Sequence, residues 1–325
     1  MQTPVFLDHL PDVSTITGKK SAQYRHARNK ALLELLLNGD TAWTPRQNCP
    51  ACGGDFARSK NFSQTLLEFQ RCADCNTIYA QRVPCQRTLD RLRLDLINQK
   101  EESDSGNDRE FEFISLMNWI SLTEARLQRP LDAVVDIRFA SQATAWPAST
   151  RRLSHNRSWD FLPLNPDNAD FDDIQEHLRK ITPSAVLVPT ELDRVADPES
   201  LMRTIKQSVS PGTVIFIASS CADGLEYEIL GADSPSFIPL DRLTVFSIKG
   251  FQAFCARIGF SVLEISTPGR LDAVILNRYF KTAENSDIPF WSGFFREADQ
   301  NRLRDLQILL QRSLRSGVLR FVLEV

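Results

Sequence analysis

Beyond residue 130 the chain alternates short apolar runs with stretches in which apolar residues recur every three or four positions. Leu131–Ile137 opens the series as a mostly apolar run, the pattern of a strand buried on both faces of a parallel sheet. Similar runs recur at Trp159–Leu164, Ala185–Val188, Val214–Ala218, Phe260–Ile265 and Ala273–Leu276. Helical patterns lie between most of them, at 171–181, 198–209 and 247–258. Strands alternating with helices predict an α/β fold built on a doubly wound sheet. A last helix is expected near 297–315, with Leu303, Leu306, Leu310 and Leu314 on one face, and Val318–Leu323 is expected to add an edge strand. No internal repeat interrupts the pattern.

The front of the chain is patterned differently. Ala27, Leu32, Leu35 and Leu36 form an apolar stripe over 19–38, closed by the stop signal Asn38-Gly39. From 45 to 84 only short apolar segments occur, Leu66–Arg71 and Thr77–Ala80, set among turn residues. Residues 86–97 read as a helix of mixed charge, and the polar stretch 98–108 as a loop or linker. A helix resumes near 110, with Phe113, Met117, Ile120 and Ala125 among its apolar positions, and Arg129-Pro130 ends it. The expected organisation is an N-terminal helical segment at 1–44, a small module at 45–84, a helical connector at 85–130 and an α/β domain at 131–325.

Composition adds the chemistry of the small module. Cys49-Pro50-Ala51-Cys52 and Cys72-Ala73-Asp74-Cys75 place two C-x2-C pairs nineteen residues apart. Two such knuckles supply four thiolates to a tetrahedral zinc ion, and short strands around them make a zinc ribbon. With all four positions filled by cysteine, the reading is a structural Zn2+ at Cys49, Cys52, Cys72 and Cys75, with no open position for water. Gly53-Gly54 gives the first turn its backbone freedom. A module this small cannot bury enough apolar surface alone, so the metal supplies folding energy.

The remaining composition mainly excludes. A net charge of −3, from 38 basic and 41 acidic residues, exerts no overall pull toward nucleic acid or an anionic membrane. No apolar run approaches the length of a membrane span, and Met1–Phe6 lacks the pattern of a secretory signal. Seven cysteines with four in knuckles suit a reducing, cytoplasmic setting, and Cys85, Cys221 and Cys255 read as small apolar residues. The four histidines, His9, His26, His155 and His177, are scattered. Trp159, Trp146 and Phe139 read as core. The aromatic cluster Phe290–Phe295 reads as packing within the chain or as an oligomer contact.

Several segments resemble one family. Pro198–Ser220, with Pro211-Gly212 at its turn, is similar to the helix–turn–strand stretch of class I S-adenosylmethionine-dependent methyltransferases. Leu243–Ser247 through Gly259–Val262 resembles that family's phenylalanine-serine helix start and later glycine-phenylalanine strand. Ser266–Asp272, reading Ser-Thr-Pro-Gly-Arg-Leu-Asp, resembles a signature of a subgroup with an N-terminal zinc ribbon, often associated with bacterial surface-polysaccharide gene clusters. The resemblance covers roughly residues 47–325. It implies a Rossmann-like methyltransferase sheet, S-adenosylmethionine as cofactor, and a sugar or other small polar acceptor.

The departures from the family pattern define the candidate site. The resemblance implies a glycine-rich cofactor loop after the first strand, where glycines admit close approach of backbone to ligand. Here the strand is expected to reach Asp136, and 137–142 reads Ile-Arg-Phe-Ala-Ser-Gln, with Arg138 and Ala140 where glycines are implied. The acid implied at the end of the second strand is replaced by Asn165, with Asp167 two residues on. After the strand at 185–188, Glu191 remains as the candidate catalytic base, without a histidine. The interval between the first and third of these strands is short, as if a strand-helix unit were missing.

Cofactor positions Asp136, Arg138, Ala140 and Asn165 are thus degenerate. The first reading is a methyltransferase-like pseudoenzyme with weak or lost S-adenosylmethionine binding, acting as a structural or regulatory partner in a homo-oligomer or with an active homologue. The second is an active methyltransferase with a remodelled loop, Glu191 as base and a small polar acceptor. The third is a binding module, in which Arg46, Arg58, Lys60, Arg71 and Arg82 of the ribbon contact protein or, against the charge balance, nucleic acid.

Overall fold

The computed structural model describes residues 19–37, 41–63, 67–85, 87–89, 106–139, 157–164, 171–237, 240–282 and 288–325. Helix α1 spans Lys19–Leu37. The ribbon follows with strands β1 (Trp43–Pro45), β2 (Lys60–Ser63), β3 (Phe69–Arg71), β4 (Ile78–Ala80) and β5 (Arg82–Pro84). Helix α2 (Gly106–Leu127) leads into β6 (Ala133–Phe139) and β7 (Ser158–Leu164). Then come α3 (Asp172–Ile181), β8 (Ala185–Val188), α4 (Pro198–Ser208), β9 (Val214–Ser220), α5 (Leu225–Leu230), β10 (Thr244–Val245), α6 (Ile248–Ile258) and β11 (Ser261–Ser266). The chain closes with α7 (Asp272–Thr282), α8 (Pro289–Glu297), α9 (Gln300–Arg312) and β12 (Val318–Glu324).

The large sheet has the order β11-β12-β9-β8-β6-β7. β7, β6, β8 and β9 are parallel, and β12 runs antiparallel between β9 and β11. Successive residues of its strands serve opposite faces. Val135, Ile137, Val186, Val188, Ile215 and Ile217 pack with Leu178, Leu201, Ile205, Phe251 and Phe254 of α3, α4 and α6. Val134, Ala185, Leu187, Val214 and Phe216 pack with Phe113, Leu116, Trp119 and Ile120 of α2. Burial on both faces explains the nearly continuous apolar runs. The expected α/β doubly wound, Rossmann-like class is the one observed.

Local signals set most helix ends. Asp197 caps α4 through Glu199 N and Ser200 N, with Pro198 at its first turn. Ser247 caps α6 through Gly250 N, and Gly259, at φ 86°, ends it. Three expectations need correction. Ala273–Leu276 is not a strand but lies in α7, where Ala273, Leu276 and Phe280 are buried at helical spacing. A four-residue apolar run carries no period of its own. Val318–Leu323 is not an edge strand, because β11 lies beyond it. The helix expected over 297–315 is shorter, Gln300–Arg312: Asp299 caps α9 through Arg302 N, Leu314 at φ 59° lies past its end, and the aromatics before it form α8.

Of the polar stretch 98–108, residues 106–108 already belong to α2, since polar composition does not separate a loop from an exposed first turn. The rest lies outside the described residues. Of the helix expected at 86–97, residues 87–89 are helical and the remainder lies outside as well. Among the described residues, no helix is long and apolar enough to cross a membrane.

The ribbon is joined by backbone pairing to a segment of the chain between β9 and α6. Its four-stranded sheet runs β10-β4-β3-β2, so one strand is contributed by residues 244–245, with Thr244 opposite Tyr79 and Val245 opposite Ile78. β10 lies between β9 and α6, on the chain that leaves the C-terminal end of a parallel strand. In open α/β sheets that end is where ligands bind.

Candidate functional site

At the first strand the chain does not turn away after Asp136, as the sequence suggested. β6 continues through Phe139, in parallel register with Pro163 and Leu164 of β7, because Ile137 and Phe139 both bury on the α3 face. Arg138 is therefore a strand residue. Its Nε donates to Asp136 Oδ1 at 2.9 Å, and one terminal nitrogen donates to Glu112 Oε1 of α2 at 2.9 Å. Trp159 Nε1 of β7 donates to the other oxygen of Asp136 at 3.3 Å. Asp136 is 0% exposed and Arg138 4%. Ala140 and Asn165 lie outside the described residues, as do Trp146 and Asp167.

Burial pushes the Asp136 carboxyl up to about 6, with the Arg138 charge holding it from going further. Burial works against the Arg138 charge too, but Asp136, Glu112 and Glu191 together hold the guanidinium above its ordinary value. Glu191, 0% exposed, sits in the turn after β8 and accepts from Thr190 N at 2.7 Å and Thr190 Oγ1 at 2.8 Å. Burial raises its carboxyl as well, opposed by Arg138 and Arg194. Both oxygens of Asp136 are thus engaged from within the chain, and a buried guanidinium stands two residues along the same strand.

The neighbouring acid has another role. Asp193 accepts from Ser220 N at 2.9 Å at the end of β9 and is ion-paired with Arg242, while Arg194 and Arg242 also face Asp241. The Asp193 carbonyl accepts from Leu243 N at 2.8 Å and Thr244 N at 3.1 Å. Asp193 thus braces the segment that forms β10. Glu112, Trp159 and Arg242 complete these clusters without any sequence signal, being 26, 23 and 49 residues from their partners. His177 pairs with Asp160 at 2.9 Å on the α3 side of β7.

The four knuckle sulfurs lie within 4.8 Å of one another. Cys49 and Cys75 Sγ are 3.7 Å apart, and Cys52 and Cys72 Sγ 3.6 Å. Tetrahedral Zn–S bonds of about 2.3 Å require S···S separations of about 3.8 Å, so the site fits zinc. Each knuckle is a tight turn, closed by Gly53 N to Cys49 O and Asn76 N to Cys72 O, both 2.9 Å. Gly53 and Asn76 hold φ of 77° and 67°, a region open to glycine and tolerated by asparagine.

The ribbon's basic residues are largely spent on the chain itself. Arg46 donates to Ala196 O at 2.7 Å, Leu243 O at 3.0 Å and Thr244 Oγ1 at 3.1 Å. Arg58 pairs with Asp74, Arg71 lies over Phe62 and Arg82 over Trp43. The aromatic cluster of α8 divides: Phe295 is buried and stacks on Phe280 with centroids 5.2 Å apart, whereas Phe290 is 71% exposed.

No family model matches the chain, and no curated protein matches it. Among solved structures it is similar to coclaurine N-methyltransferase bound to N-methylheliamine and SAH, at 15% identity over 65% of this chain and 72% of that one, TM-score 0.35. It is also similar to a putative sarcosine dimethylglycine methyltransferase from Galdieria sulphuraria, at 13% identity over 65% and 85%, TM-score 0.36. A third is a complex between the Haloferax volcanii Trm112 methyltransferase activator and a putative methyltransferase, at 16% identity over 68% and 98%, TM-score 0.36. Likenesses this remote decide nothing about chemistry.

Proposed function

We propose that this chain is a zinc-stapled, methyltransferase-like protein with weak or lost S-adenosylmethionine binding, and that it acts as a structural or regulatory partner of other proteins. The observation that carries the reading is the Asp136–Arg138–Glu112 cluster: a buried guanidinium on β6, held from both sides, where the family resemblance implies glycine and an open approach. Displacing it would leave Asp136 buried and unpaired, at a cost of about 3–5 kcal/mol. A ligand of micromolar affinity, worth about 8 kcal/mol, would lose about half of its binding energy to that rearrangement.

The reading as an active enzyme with Glu191 as base is weaker, because that carboxylate has no exposed surface from which to take an acceptor's proton. The reading as a nucleic-acid module is weaker too, because Arg46, Arg58, Arg71 and Arg82 already have partners within the chain.

The test is calorimetric titration of the zinc-loaded full-length protein with S-adenosylmethionine and S-adenosylhomocysteine. The expected result is no saturable heat. Micromolar binding of either would overturn the proposal, and turnover that then survives Glu191→Gln would remove Glu191 from the mechanism.

A further inference from the structure

The two cysteine knuckles and their strands are wired to the C-terminal rim of the large sheet through three connections. The first is backbone pairing: Ala80 N donates to Leu243 O at 2.9 Å, and β10 continues the ribbon sheet beside β4. The second is at the start of α6. Ser247 Oγ donates to Cys75 O, and Ser247 N donates to Thr77 Oγ1 at 3.3 Å. Gly250 brings the helix so close that an added methyl would overlap Thr77 Oγ1 and stand 3.1 Å from Cys75 Sγ. The third is Arg46, three residues before the first knuckle, which holds both Ala196 O after β8 and Leu243 O before β10.

These connections converge on one segment and pass through it. Leu243 N and Thr244 N donate to the Asp193 carbonyl, and the Asp193 carboxylate accepts from Ser220 N. The loop after β8, the end of β9 and the segment 241–247 are therefore held against the knuckle by hydrogen bonds rather than by a continuous element. The knuckle packs against the start of α6, with Cys72 and Cys75 buried beside Phe246 and Phe251, but its own secondary structure is short. β3 and β4 contribute three residues each, and the turn Cys72–Asn76 closes around the ligand sulfurs. A site with this donor set derives its fold from the metal.

We propose that the metal at Cys49, Cys52, Cys72 and Cys75 is a conformational latch. Its occupancy fixes residues 241–247 and, through Asp193, residues 191–196. Its loss frees that rim while the rest of the large sheet stays folded. The charge arrangement favours the same coupling. A zinc ion with four thiolates carries a formal charge of about −2, and it lies at the positive end of α6. Arg46 is a positioning residue, clamping the two loops that the knuckle supports.

Hydrogen–deuterium exchange on the full-length protein tests this, with zinc bound and after removal by a strong chelator. The amides of Leu243, Thr244 and Ser220 report the rim, and those of Val135, Phe216 and Val322 the sheet centre. Losing two or three hydrogen bonds of about 1 kcal/mol each should accelerate rim exchange by about 30- to 150-fold, with the sheet centre unchanged. Acceleration confined to 47–80, or spread evenly over the whole chain, would overturn the latch. A second variant, Arg46→Met, keeps all four ligands and should retain one zinc per chain. It should loosen the same rim amides about tenfold. Wild-type exchange at 193–196 and 243–244 in that variant would refute the role of Arg46. This inference does not depend on the cofactor site, so S-adenosylmethionine binding by the wild type would leave it standing.

Discussion

Asp136 and Arg138 are two residues apart on one strand, and with Glu112 they form a buried ion-paired cluster. The carboxyl, held at about 6 by burial against the pull of Arg138, binds protons in the folded protein that it has lost in the unfolded one. Its ordinary value is about 3.9, so its contribution to stability is full below about pH 4 and is lost as pH rises through about 6. The expected outcome is an unfolding free energy that falls across that window and falls less steeply in Asp136→Asn. Denaturant titrations at both ends of the window measure it; an unchanged slope in the variant would show that Asp136 does not titrate there. Glu191, Glu226 and Asp272, also raised by burial, leave a residual slope of the same sign.

Element scale matters most at the start of α6. Ser247 is legible as a cap, and Phe251, Phe254, Cys255 and Ile258 are legible as its buried face. What the pattern does not reveal is why Gly250 sits in the first turn. In an exposed helix, alanine is better than glycine by about 1 kcal/mol. At Gly250 the sign should reverse, because the methyl meets buried Thr77 and the Cys75 sulfur. Gly250→Ala should lower the thermal midpoint and weaken zinc retention against a chromophoric chelator. A raised midpoint would mean that this contact is slack. The same scale explains the misread segments. Val318–Leu323 and Ala273–Leu276 have similar apolar density, and neither run is long enough to declare its own period or its neighbours.

Across the whole molecule, the signature Ser266–Asp272 turns out to close the fold rather than line the Asp136 cluster. Asp272 accepts from Gly317 N and Ser316 Oγ, both at 2.6 Å, and from Gln307 Nε2 at 2.9 Å. Gln307 and Gln311 of α9 both donate to Gly269 O at 2.8 Å, and Ala273 N donates to Gln307 Oε1 at 2.9 Å. One glutamine thus ties the start of α7 to the chain entering β12. Gln307→Leu would leave Asp272 short of a donor in a fully buried site. The expected loss of stability is on the order of 3 kcal/mol, read from chemical denaturation. A loss under about 0.5 kcal/mol would place the closing force elsewhere.

The sequence by itself determined what is local or periodic. Each cysteine pair is brought together by its own tight turn, so the spacing is enough to bring the sulfurs within each pair together. Strand and helix alternation carries the α/β class for a similar reason: each element's burial is written in its own period. Most of the large-sheet strands and the four-cysteine cluster at 49, 52, 72 and 75 were legible this way. Only the tertiary structure decided the partners. Glu112 reaches Arg138 from a helix upstream, Trp159 reaches Asp136 from a neighbouring strand, and residues 244–245 become the fourth strand of the ribbon. A hydrogen bond or an ion pair between distant segments leaves no period in either one. It exists only once the backbone has brought both ends together.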